Sequence, residues 1–375
     1  MFHVKQETPA ALQFLDEALL EAQSRNLFRE RLPPRREGSL SFCSNDYLAL
    51  AGRACPAAPS GAGASRLVTG ERAEHVDLER VAAEYVMLPD ALVFASGYAA
   101  NVGLLSSLAS PADRIISDRL NHASLIDGAR LSGARIDIVP HLNLEEVERA
   151  LQAPRVGRAF VVTESYFSMD ADAPDLRALR RLCDSHAAAL IVDEAHALGV
   201  LGPEGRGLCA QADIQPDALV GTFGKAFGAG GAFVAGCRTL TTWLWNRARP
   251  FVFSTGLSPA VAAAAAAGVR TAHAESWRRE QVARAAAFLR NGITQLGMRL
   301  SGFGHIVPWI VGESRDALRL AEGLRTRGVD VRAIRPPSVP AGTARLRFTV
   351  TAAHQPSDLE QAIDAIAAVA QGSGD

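Results

Sequence analysis

Apolar positions along the chain switch between two spacings. Over residues 8–25, Leu12, Leu15, Leu19 and Leu20 recur three and four residues apart with charges on much of the rest, which predicts an amphipathic opening helix. Pro33-Pro34 stops any helix there, inside a run containing Arg25, Arg29, Arg31, Arg35 and Arg36 that reads as a solvated face or, alternatively, as an anion clamp at a pocket mouth. Beyond it, short apolar runs alternate with longer helical stretches. The runs predict strands at 91–95, 114–117, 135–139, 159–163, 189–192, 218–222 and 232–235. Strands separated by helices imply a parallel, doubly wound α/β sheet, with an antiparallel strand late in the order. Near Ser258 the character changes, and an alanine-rich run at 260–267 opens a helical region reaching about residue 300. Strands at 306–311, 329–334 and 346–350 with helices at 314–327 and 357–370 then predict a smaller α+β domain closing on the large one. The expected division is 1–45 as helix and arm, 46–255 as the large domain and 256–375 as the small one.

Composition narrows the classes. The 375 residues are 48% apolar and 21% charged, which excludes a disordered chain and leaves ample length for a core. Basic and acidic residues nearly cancel, 39 against 40, so no large positive field is present to hold nucleic acid. No apolar stretch reaches the ~18 residues of a membrane span, and the first ten residues lack the basic-then-apolar order of a signal peptide, so the expected location is the cytoplasm. Five cysteines, Cys43, Cys55, Cys183, Cys209 and Cys237, are widely spaced without any C-x-x-C pair, and are expected to be buried or half-buried fillers rather than a disulfide framework or a metal site.

One count changes the picture. Only Lys5 and Lys225 are lysines; the other basic residues are arginines. An amine can lose its proton and act as a nucleophile, whereas a guanidinium stays charged, so an interior lysine in an arginine-rich chain marks candidate chemistry.

Ligands of a parallel sheet bind beyond the carboxyl ends of its strands. Three apolar runs lead into polar clusters there: Thr163-Glu164-Ser165 through Ser168, Asp193-Glu194-Ala195-His196, and Thr222-Phe223-Gly224-Lys225. Ser96-Gly97-Tyr98 opens a helix whose free N–H groups suit a phosphate, or is a plain strand-to-helix turn. Thr222 could offer its hydroxyl to the same phosphate. Asp193 could pair with a protonated ring nitrogen, or instead cap a helix or pair with an arginine, and His122 could lie over an aromatic ring, or instead be a core or capping residue. Together these groups match the needs of pyridoxal phosphate, held through a lysine Schiff base with an acidic partner for the pyridinium. No metal is implied. The letters of Asp193-Glu194-Ala195-His196 also spell a helicase box, but no phosphate loop exists: Leu219 occupies its first glycine position and Ala226 its hydroxyl position. Gly61-Ala62-Gly63-Ala64-Ser65-Arg66 fails as a dinucleotide fingerprint because Arg66 stands at the third glycine, and it reads as a flexible loop.

Ser44-Asn45-Asp46-Tyr47-Leu48, the 61–70 segment, Asp118 through Ser124, Ser165 through Asp170, Asp193 through His196 and Thr222 through Gly228, in this order, resemble the α-oxoamine synthases. These are acyl-CoA-dependent enzymes of the PLP-dependent transferase fold type I, with a large, mostly parallel domain and a smaller C-terminal α+β domain. The resemblance spans residues 42–354. It implies Lys225 as the cofactor-linked amine and proton acceptor, Asp193 as the pyridinium partner, His196 at the ring hydroxyl and His122 stacked on the ring, with Lys225, His122 and Asp193 catalytic. It implies Gly97, Tyr98, Ser168 and Thr222 as further cofactor contacts, and Ser254 and Thr255 reaching a partner subunit's phosphate in a homodimer. Arg347 is implied as the carboxylate anchor of the amino acid, with Arg29, Asn45, Ser338 and His122 as substrate contacts. Within the family the pattern implies a pimeloyl thioester, on CoA or acyl carrier protein, condensed with L-alanine in biotin biosynthesis. A member using glycine or serine, or a non-catalytic regulator on the same fold, is the alternative. Glu194 stands where many relatives have Asp, and Ala62 where many have Ser, neither at a position expected to do chemistry.

Overall fold

A computed structural model describes residues 10–29 and 38–371. Its strands in chain order are β1 (Leu40–Ser41), β2 (Asp90–Phe94), β3 (Arg114–Asp118), β4 (Arg135–Val139), β5 (Ala159–Glu164), β6 (Ala188–Asp193), β7 (Ala218–Thr222), β8 (Ala232–Gly236), β9 (Ile306–Gly312), β10 (Val329–Asp330), β11 (Arg332–Ile334) and β12 (Ala344–Thr349). Seven of them form one sheet in the order β2-β8-β7-β6-β5-β3-β4. Only β8 runs antiparallel, to both its neighbours, which is the late antiparallel strand that the sequence pattern implies.

Both faces of this sheet are covered, because its strands are apolar at consecutive positions and alternate residues point to opposite sides. Ile115, Phe160, Val162, Ile191 and Val220 pack on one side with the helices Gly97–Leu108 and Ala123–Ser132. Ile116, Val161, Leu190 and Val192 pack on the other with the helices Leu144–Gln152 and Leu176–Ser185. Each such side chain contributes ~1.5–3 kcal/mol of burial. With its faces closed, the sheet is left with its carboxyl-end rim as the place where polar groups converge.

The C-terminal region carries a separate antiparallel sheet, β11-β12-β9. Leu346 and Phe348 of β12 point into the core, and the two-residue period puts Arg345 and Arg347 on the opposite face. The segment after β1 is laced onto this region: β1 pairs parallel with β10, Thr349 Oγ1 donates to the carbonyls of Phe42 and Ser44, and the Phe42 ring stacks on His354 at 4.4 Å. That lacing carries Asn45 and Tyr47 to the edge of the large sheet.

Several expectations change. The single strand at 329–334 divides at buried Val331 into β10 and β11, which join different sheets, because the chain turns from pairing β1 to pairing β12. The long helical region is two helices, Pro259–Ala274 and Ser276–Gln295, separated at Glu275. The opening helix covers Phe14–Ser24 after a short turn at Ala10–Leu12; none of its residues is buried, and Leu12, Leu15, Leu19 and Leu20 are all exposed. Residues 8 and 9 of that expectation, and Arg31, Pro33, Pro34, Arg35 and Arg36, lie outside the described residues. Cys183 and Cys209 are buried and Cys43 is intermediate, but Cys55 and Cys237 are exposed and fill no core. The 61–66 segment ends in an anchor: buried Arg66 pairs with Glu71 and Glu79, each at 2.6 Å, and lies over the rings of Trp245 and Phe251. Among the described residues no helix is long and apolar enough to cross a membrane.

Candidate active site

The rim assembles its groups from consecutive strand ends. β5 finishes at Glu164 and β6 at Asp193, and the two residues are register partners, so two carboxylates stand side by side. Asp193 Oδ2 accepts from Asn101 Nδ2 at 2.7 Å and Oδ1 from the Ala195 amide at 2.8 Å. The amide it takes belongs to a turn, so it caps no helix, and it has no arginine partner among the described residues. Glu164 is buried and accepts the His122 amide at 2.7 Å. Burial, reinforced by Asp193, pushes its carboxyl up to about 8.

Lys225 follows β7 in a turn fixed by packing. Phe223, Ala226 and Phe227 are buried around it, and Gly228 donates to the Lys225 carbonyl at φ +64°, where a Cβ would stand 2.4 Å from the Ala51 amide nitrogen. Burial lowers the amine below the ordinary lysine range, with Arg347 acting the same way and Asp193 and Glu164 opposing. Thr222 Oγ1 donates to the Gly231 carbonyl and accepts from the Gly224 amide, tying the turn to the strand.

Burial lowers both histidines below the ordinary histidine range. His196 lies well below its ordinary value, and its Nδ1 meets the Tyr47 hydroxyl at 2.7 Å. His122 caps the helix Ala123–Ser132, its Nδ1 meeting Ser124 Oγ at 2.7 Å. Capping and a place at the rim are thus compatible for one residue.

At the N-terminus of the helix Gly97–Leu108, Ser96 Oγ takes the Ala99 amide and the Ser96 carbonyl takes that of Ala100, while the Gly97 and Tyr98 amides have no partner among the described residues. A Cβ at Gly97 would meet nothing within 4 Å, so the approach is open. The Tyr98 hydroxyl itself donates to Asp127. Two free amides at a helix N-terminus suit a phosphate, a strand-end carboxylate suits a ring N–H, and a lysine of lowered basicity suits an aldehyde; the donor set fits pyridoxal phosphate.

The small sheet closes the other side. Arg347 Nε donates to the Ser168 carbonyl at 2.7 Å, and its two terminal nitrogens stand 3.4 Å from Asn45 Oδ1. Arg345 binds Asp170 at 2.6 Å and the Met169 carbonyl at 2.9 Å. Between the two sheets runs a cleft of about 530 Å³ whose walls include His122, Glu164, Ser168 and Ser338. Ser338 is exposed and accepts from Arg29 at 3.2 Å. Thr255 is also exposed, and among the described residues no hydrogen bond or ion pair joins it to these groups. The 167–172 turn that carries Ser168 is itself pinned by His141, whose Nδ1 lies 2.9 Å from Asp118 and Nε2 3.1 Å from Asp172. Burial alone would depress His141, but the two carboxylates prevail and push it up to about 9.

Four residues of the site carry no role in the sequence reading. Glu164 was legible as a polar residue ending a strand beside Asp193, and Tyr47 lay in a motif whose individual roles the pattern does not assign. Asn101 is one helical turn past Gly97. His305 gave no signal: it is buried, neither ring nitrogen has a partner among the described residues, and it packs edge-on to Tyr47 at 4.2 Å, with burial pushing it down to about 3. Glu194, by contrast, is structural. It is buried and accepts from Ser165 Oγ and the Leu208 and Cys209 amides, and a Cβ on Gly207 would lie 2.3 Å from its Oε2.

The model of the family "Aminotransferase class I and II" matches residues 37–366. The chain is 41% identical to 8-amino-7-oxononanoate synthase 1 of Polaromonas sp. (strain JS666), covering 97% of this chain and 96% of that protein. Among solved structures it resembles a serine palmitoyltransferase of S. paucimobilis with a PLP–myriocin adduct bound, at TM-score 0.90 and 25% identity over 98% of this chain and 100% of that one. It also resembles 8-amino-7-oxononanoate synthase of Francisella tularensis, at TM-score 0.76 and 25% identity over 90% of this chain and 99% of that one. With the family model matching residues 37–366 and these proteins matched over nearly their whole length, the chain belongs to the class I and II aminotransferase family and, within it, to the α-oxoamine synthases.

Proposed function

We propose that this protein joins a pimeloyl thioester to L-alanine, with loss of carbon dioxide and of the thiol carrier, to give 8-amino-7-oxononanoate. The observation that carries the reading is Lys225 at the rim, one of two lysines in the chain, buried within electrostatic reach of Asp193, Glu164 and Arg347. Identity of 41–44% to relatives bearing that synthase's name supports the choice of substrates.

Pyridoxal phosphate, when bound, supplies an electron sink for the bond broken at the amino acid's Cα. Lys225 would hold it by its amine, Asp193 would keep the proton on the ring nitrogen, His196 would bond the ring hydroxyl and His122 would stack over the ring. The Gly97 and Tyr98 amides, Ser168 and Thr222 would complete its cradle, with Thr255 contributed across a subunit seam. For the chemistry, a neutral Lys225 amine takes the Cα proton, which its burial favours. Arg347 grips the substrate carboxylate by its fork, and Asn45 holds that fork in place. Arg29 and Ser338 stand at the mouth for the thioester.

Residues 1–45, 46–255 and 256–375 are proposed as arm, large domain and small domain, in a cytoplasmic homodimer. The exposed leucines of the opening helix support a second copy that covers them. A monomer mass in light scattering would refute it. For the reaction, purified protein loaded with pyridoxal phosphate is given pimeloyl-CoA and L-alanine, glycine or L-serine in turn, and CoA release is followed. Alanine should be the fastest acceptor; faster release with glycine or serine would move the protein to another member of the family.

A further inference from the structure

The cleft between the sheets has a composition that its role in cofactor binding does not explain. Its walls pair apolar surface from Leu120, Ile126, Pro337 and Val339 with two carboxylates, Glu164 and Asp170. Asp170 is neutralised by Arg345, and Glu164 takes the His122 amide. One cation lines this cleft, Arg119, and its guanidinium is exposed with no hydrogen-bond or ion-pair partner among the described residues.

The stalk beneath that guanidinium is rigid. The Arg119 amide donates to the Val139 carbonyl at 3.0 Å, and Asp118 on one side accepts the amides of Leu120 at 2.8 Å and Leu142 at 2.9 Å. His122 lies three residues on, so their Cα atoms are at most ~11 Å apart. An acyl chain reacting beside His122 therefore extends within reach of Arg119, its methylenes on the apolar wall. A free carboxylate at the chain's far end, seated against that apolar wall, would lose its hydration at a penalty unless a cation received it. Arg347 is already placed on the amino acid, and Arg29 is committed to Ser338.

We propose that Arg119 is a specificity-determining residue that receives the terminal carboxylate of the acyl donor, so that the enzyme selects a dicarboxylic thioester over a fatty acyl one of the same length. This rests on the pimeloyl reading above. The test compares holoenzyme of wild type, Arg119→Met and Arg119→Lys with L-alanine and either pimeloyl-CoA or heptanoyl-CoA, which has a methyl group where pimeloyl has its carboxylate. Wild type should favour pimeloyl-CoA in kcat/KM. In Arg119→Met that preference should shrink ~10–100-fold, the loss of one charge-assisted contact, and Arg119→Lys should keep part of it. An unchanged preference in Arg119→Met overturns the assignment. An equal loss with both thioesters also overturns it, because the guanidinium would then be reading the CoA carrier. If wild type turns over neither thioester, the proposed reaction itself fails and this inference falls with it, whereas pimeloyl turnover with an unchanged preference sinks Arg119 alone.

Discussion

The two sheets supply the site in different ways. The seven-stranded sheet contributes groups that follow its strands' carboxyl ends, Ser168 after β5, His196 after β6 and Lys225 after β7, on turns free to bring backbone and side chain together. The three-stranded sheet contributes from within a strand: Arg345 and Arg347 sit two residues apart on one face of β12, and both donate to the 168–170 turn of the other sheet. A rim tolerates local adjustment, but a strand face does not. Slipping β12 by one residue would exchange Arg347 for an apolar neighbour and expose the core. That difference in freedom supports the proposed division into chemistry at the rim and anchoring on the face.

Substitutions can break this division, beginning with the largest effect. Lys225→Arg keeps charge and length but cannot give up its proton, so turnover should fall at least ~10³-fold with the circular dichroism of the fold retained. Turnover within tenfold of wild type would remove Lys225 from the chemistry. The face should behave differently from the rim and also divide within itself. Arg347→Ala should raise KM for the amino acid ~10–100-fold with a smaller effect on kcat. Arg345→Ala, which strips the partner from Asp170, should instead appear as lost stability in denaturant unfolding; if the two variants shift the same parameter, the anchor is misassigned.

The smallest effect concerns the turn that joins the two regions. His141 is held up to about 9 against an ordinary 6.5, so the stability it contributes is complete below pH 6.5 and is lost as pH rises through about 9. Between pH 7 and 10 the denaturation midpoint of wild type should therefore fall more than that of His141→Gln. Parallel curves would mean that the Asp118–His141–Asp172 clamp carries no charge-dependent stability.

Much of the architecture was legible because burial on both faces leaves consecutive apolar residues, and turn residues mark where each run stops. The strands at 135–139 and 218–222 coincide with β4 and β7. The 329–334 run reads as one strand because nothing local to Val331 says that its two halves pair with different partners. The opening helix was read correctly as amphipathic, but amphipathicity names a face to be covered and not what covers it.

The sequence by itself determined the alternation of strands and helices, the placing of polar clusters at strand ends and the singling out of Lys225, since each depends on residue type and near-neighbour spacing. Only the tertiary structure decided that Glu164 stands beside Asp193, that Tyr47 reaches His196, that Arg345 and Arg347 face the 168–170 turn and that Arg119 is the one cation lining the cleft among the described residues. Those relations join residues distant along the chain, and their burial and charge are set by sheet order and register, which no short stretch of sequence encodes.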